Sequence, residues 1–137
     1  TLASAMDVGD PSNMERLRKL VGDADVLRDR MAVASVSDES IRAAIRQDFE
    51  EFGFATCPHT ATATHVWRNL PTDVAEQNDW ILVATAHPAK FETIVEPLIG
   101  ETIALPTELA AILSREAHAV SIEPDIESLA AALQGVG

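Results

Sequence analysis

Thr85, His87 and Lys90 bring a hydroxyl, an imidazole and an amine together within the run Thr85-Ala86-His87-Pro88-Ala89-Lys90. A hydroxyl can donate to a ring nitrogen, an imidazole can carry a proton, and an amine can pair with an anion. The apolar run at residues 80–84 leads into this turn, and Pro88 is suited to open a helix after it. In open α/β sheets ligands sit beyond the carboxyl ends of the strands, where free N–H groups at a helix start favour anions or acceptors. The same residue types also cap helices, so Thr85 or His87 closing the turn on its own backbone is the competing reading.

Other chemical groups are scattered. Cys57, His59 and His65 are soft and imidazole ligands close in sequence, but His59 and His65 are six apart, which puts them on different faces of a helix. There is no second cysteine, so no metal is expected. Cys57 as a nucleophile lacks a defined base, because a histidine two residues away in sequence does not make a catalytic pair. Asp48, Glu50 and Glu51 around Phe49 read as a solvated helix face, and Lys19 as a surface helix lysine.

The elements that must position these groups follow from periodicity. Ser12 and Glu15 have the spacing of a capping box, ahead of a stripe at Met14, Leu17, Leu20 and Val21 that Gly22 can stop. A second helix should begin near Ser37, carry Ile41, Ala44, Ile45, Asp48, Phe49 and Phe52, and end at Gly53. Pro58 suits the first turn of a third. Residues 80–84 read as a strand covered on both faces in a parallel sheet, and residues 119–122 as a weaker strand. Helices after Pro88 and Pro106, and one from about Asp125 to Leu133, complete an α/β reading in which helices dominate and one or two parallel strands are expected. So few strands do not make a sheet, and the apolar opening Thr1-Leu2-Ala3-Ser4-Ala5-Met6 lacks a polar lead-in. Both features suggest residues 1–137 as a single piece of a larger α/β protein.

Several blocks resemble one family. Ala3-Ser4-Ala5-Met6-Asp7-Val8 with Pro11-Ser12-Asn13, then Pro58-His59-Thr60-Ala61, then Ala84-Thr85-Ala86-His87-Pro88-Ala89-Lys90-Phe91, look like successive blocks of threonine synthase. Leu98-Ile99-Gly100-Glu101-Thr102 and Leu105-Pro106-Thr107-Glu108-Leu109 are similar to its microbial branch. One departure is Cys57, where the family pattern leads to an acidic residue before Pro-His. The resemblance implies the C-terminal portion of a tryptophan-synthase-like (fold type II) enzyme that uses pyridoxal 5'-phosphate to convert O-phospho-L-homoserine and water to L-threonine and phosphate. It implies that the Schiff-base lysine and the loop for the cofactor phosphate lie upstream of Thr1, leaving no catalytic lysine here and an inactive fragment. It places the Thr85 hydroxyl opposite the pyridine nitrogen as a cofactor-binding group. It puts His87, Lys90 and Asn13 in the substrate or active-site neighbourhood. The rival reading is a non-enzymatic α/β module that grips a small anion at the helix start of residues 85–90.

Composition bounds the partners. The 137 residues carry 10 Lys+Arg against 22 Asp+Glu, a formal net charge of −12. Such a field repels phosphate backbones and anionic bilayers, so neither nucleic acid nor a membrane surface is an expected partner. No segment approaches the ~20 apolar residues of a bilayer span, and a single cysteine suits a reducing cytoplasm. Apolar surface that a missing portion would cover leads to the expectation that the fragment self-associates.

Overall fold

The computed structural model describes residues 1–117 and 119–134. The chain forms two compact units, Thr1–Ala104 and a smaller one from Leu105 onward.

Six helices and two 3-10 turns make up the first unit among the described residues. A 3-10 turn spans Ser4–Met6, and α1 (Asn13–Val21) and α2 (Ala24–Arg30) form a hairpin. Gly22 joins these two with φ +79°, a left-handed conformation that glycine adopts without a steric penalty. Asp23 then caps α2 by accepting the Asp25 N–H at 2.8 Å. The capping box at Ser12 does not form. Ser12 is itself helical (φ −60°, ψ −22°), so its side chain makes no cap bond. Its carbonyl accepts from the Glu15 N–H at 3.2 Å instead.

Helix α3 (Asp38–Phe52) follows its sequence closely. The Ser37 hydroxyl accepts the Ser40 N–H at 3.2 Å, Asp38 and Glu39 sit where the dipole favours them, and Gly53 ends the helix in the left-handed conformation. Its inward face buries Ile41, Ala44 and Ile45, which join Ala3, Ala61 and Val95 in the core. Full burial of an isoleucine side chain contributes roughly 1.5–3 kcal/mol. Helix α4 (Pro58–Arg68) and helix α6 (Glu92–Ile99) pack on α3, with the short α5 (Thr72–Glu76) between them in sequence. The second unit holds α7 (Thr107–Leu113) and α8 (Ile126–Gln134).

The parallel strands are a correction. Neither residues 80–84 nor residues 119–122 form a strand among the described residues, and the chain itself is helical with extended connections. A strand exists only by pairing, and among the described residues no other segment pairs with either run. Instead Ile81 is 88% exposed and Val83 65% exposed. An apolar sequence made for burial on two faces stands uncovered. Among the described residues no helix is long and apolar enough to cross a membrane.

Candidate active-site region

Residues 80–85 form neither helix nor strand and lead through a bend at Ala86 into a 3-10 turn, Pro88–Phe91, which continues into α6. Val83 and Thr85 border one cavity, of about 490 Å³, while Ala84 and Ala86 border another, of about 730 Å³.

Thr85 is exposed, and its hydroxyl makes no hydrogen bond among the described residues. The cavity it borders is walled by Met6, His59, Trp67, Trp80, Ile81 and other apolar or neutral side chains. Among the described residues, no carboxylate lines it. A free hydroxyl in such a place suits a ligand atom that accepts a hydrogen bond and carries no positive charge.

His87 faces the larger cavity, together with Thr56, Cys57, Thr60 and Thr102. Its Nδ1 accepts the Ala89 N–H at 3.2 Å, while its carbonyl accepts from the Lys90 N–H at 3.1 Å. The imidazole therefore caps the turn that follows. That bond also occupies the N–H an anion would need at this helix start, which weakens the anion-gripping reading. Lys90 is exposed and borders neither cavity. Asn13, the first residue of α1, is exposed and borders a separate depression with Ala5, Met6 and Pro11. Thr85, His87, Lys90 and Asn13 are thus not gathered into one cavity within this chain. Lys19 is exposed on α1.

Helix α4 begins at Cys57, whose side chain makes no capping bond to the helix backbone. The thiol instead lies 3.3 Å from the Thr60 hydroxyl and is fully buried. His59 is also buried, with its Nε2 accepting the Ala5 N–H at 3.1 Å. Among the described residues, no group of three or more His, Cys, Asp or Glu is placed to hold a metal ion.

A buried polar cluster braces this region, and the sequence reading missed it. Asp48 is 0% exposed, not part of a solvated face. Its Oδ2 accepts from the hydroxyls of Thr56 at 2.6 Å and Thr64 at 2.9 Å, and its Oδ1 from Nη1 of Arg68 at 2.6 Å. Arg68 reaches on to Glu51 through Nη2 at 2.7 Å and lies over the Phe52 ring. Burial works against the Arg68 charge, but the bonds to Asp48 and Glu51 outweigh it and raise its pKa further. The signal was the one polar residue on the apolar stripe of α3, since a carboxylate on a core face demands partners.

Comparison with known proteins is consistent in direction. A family model described as threonine synthase, C-terminal, matches residues 60–133. The threonine synthase of Escherichia coli (strain K12) is 36% identical over 110 residues, covering 80% of this chain and 25% of that protein. The threonine synthase of Serratia marcescens is likewise 36% identical over 110 residues. The crystal structure of threonine synthase from Escherichia coli superposes with a TM-score of 0.72 at 29% identity, covering 98% of this chain and 30% of that one. The chain spans about a quarter of the length of these curated relatives.

Proposed function

This chain belongs to the threonine synthase C-terminal family, and from that premise we propose that residues 1–137 are the C-terminal part of a pyridoxal-phosphate-dependent threonine synthase. The whole enzyme converts O-phospho-L-homoserine and water to L-threonine and phosphate, a cytoplasmic step of threonine biosynthesis. Pyridoxal phosphate, when bound, supplies an electron sink conjugated to the substrate's reacting carbons. Of this chain's residues, Thr85 would hold the cofactor, its hydroxyl donating to the pyridine nitrogen.

The observation that carries this reading is the wall around Thr85: one free hydroxyl, apolar and neutral neighbours, and no carboxylate. A carboxylate would keep the ring nitrogen protonated and deepen the sink. A neutral hydroxyl leaves the nitrogen unprotonated and more electron density on the substrate, where expulsion of a γ-phosphate needs it. His87 holds the turn after Thr85 in place by capping Ala89. Lys90 and Asn13 are proposed only as neighbours of the assembled site. Lys19 and Lys90 are the chain's only lysines and both are exposed. The amine that binds the cofactor covalently is therefore assigned to residues preceding these in the longer polypeptide.

The test supplies pyridoxal phosphate and O-phospho-L-homoserine to the 137-residue chain and to the longer gene product that carries it. The chain alone should release no phosphate above background, and the longer product should release one phosphate per threonine. Turnover by the chain alone overturns its reading as a part. A longer product that makes no threonine overturns the family activity.

A further inference from the structure

His59 is 7% exposed, and its two ring nitrogens are in opposite situations. Nε2 accepts the Ala5 N–H at 3.1 Å, so it carries no proton and the neutral ring is protonated at Nδ1. That Nδ1 is buried and has no hydrogen-bond partner among the described residues. The ring also packs on Phe91, with centroids 5.1 Å apart at a tilt of 52°. Ala5 lies in the Ser4–Met6 turn, and Phe91 closes the turn that Thr85 and His87 lead into. One side chain from the first turn of α4 thus touches both segments, and it borders the cavity of Thr85.

Packing alone does not explain an imidazole here. A phenyl ring would fill the same space against Phe91 and leave no N–H buried without a partner, a situation proteins avoid. What only the imidazole adds is an acceptor for Ala5. We propose that His59 is a positioning residue of the candidate site, a neutral Nδ1-protonated ring that ties the Ser4–Met6 turn to the Pro88–Phe91 turn and so fixes where Thr85 stands. Its consequence for the cofactor rests on the reading of Thr85 given above, whereas the placement itself is testable without cofactor.

The two contacts are separable by substitution. In His59→Gln the amide oxygen reaches the place of Nε2 and keeps Ala5, but the ring face for Phe91 is gone. In His59→Phe the ring face remains and the acceptor is lost. Long-range proton–nitrogen NMR of the 137-residue chain should show wild-type His59 as the Nδ1–H tautomer. The Ala5 amide should exchange about tenfold faster in His59→Phe and at the wild-type rate in His59→Gln. The backbone amide resonance of Thr85 should move in both variants, because each cuts the tie at one end. An Nε2–H tautomer overturns the proposal even if both variants fail to fold, and so does either variant that leaves the Thr85 amide unmoved. In the longer polypeptide, His59→Gln should also shift the absorbance of bound pyridoxal phosphate. If the NMR pattern holds and the absorbance does not move, the placement stands and the cofactor reading of Thr85 fails.

Discussion

Thr85 and His87 stand two residues apart in one turn yet border different cavities. Thr85 has its hydroxyl free, while the His87 ring is engaged through Nδ1 with the Ala89 N–H at 3.2 Å. The two groups therefore have separable duties. His87→Ala should destabilise the chain by about 1 kcal/mol, the usual cost of a lost cap, seen as a lower urea midpoint. Thr85→Val should leave that midpoint within about 0.5 kcal/mol, as expected of an exposed side chain with no partner.

The Asp48 cluster should dominate the local electrostatic contribution to stability. Asp48→Ala strands the largely buried Arg68 and leaves two threonine hydroxyls without their acceptor, and should cost about 3–5 kcal/mol. Glu51→Ala removes the more exposed end of the same network, 46% exposed against 0% for Asp48, and should cost under about 1 kcal/mol. Chemical denaturation of both variants measures the difference, and equal losses would mean that Asp48 is solvated in solution.

Helix α8 should respond to acid through Asp125. The backbone N–H of Ser128 at 2.7 Å and its hydroxyl at 2.9 Å both donate to this carboxylate and hold its pKa below the ordinary carboxylate value. A lowered folded pKa means that the contribution is complete above the unfolded pKa and is lost as pH falls through the folded one. Far-UV circular dichroism should therefore show helicity lost only as the pH falls below the ordinary carboxylate range. Asp125→Asn keeps a capping oxygen but cannot titrate, so its helicity should change less over that fall in pH.

The uncovered run at residues 80–84 makes self-association of the chain an expected outcome. Trp80, Ile81 and Val83 are all exposed, an apolar surface of the kind that drives association. Sedimentation velocity should give a mass that rises above 14.7 kDa with concentration. Ile81→Lys, which places a charge on that surface, should return the chain toward monomer.

The helices were legible because their signals are local. Ser37, the periodic Ile41, Ala44 and Ile45, and Gly53 fix α3 from within its own sequence. The expected strands were not realised because residues 80–84 specify an environment that the 137 residues do not provide. Helix α2 went unread: its seven residues give too little period, although Asp23 at its cap was a usable cue. The proposed role of Thr85 rests on its position after an apolar run, its likeness to a family block and the cavity it borders. The bond from Ala5 to His59 spans 54 positions, and no local pattern announces a contact of that range. Asp48 was visible as an anomaly on its stripe, but its partners come from α4 and the segment before it, which only the folded chain brings together.

The state of one nitrogen tests the account most directly. The longer polypeptide would be loaded with pyridoxal phosphate labelled with nitrogen-15 in the ring, and the nitrogen resonance compared in wild type, Thr85→Val and Thr85→Asp. An unprotonated ring nitrogen in wild type, perturbed by Val and driven to the protonated range by Asp, is the predicted result. A protonated nitrogen in wild type, or a resonance that none of these changes moves, would contradict it.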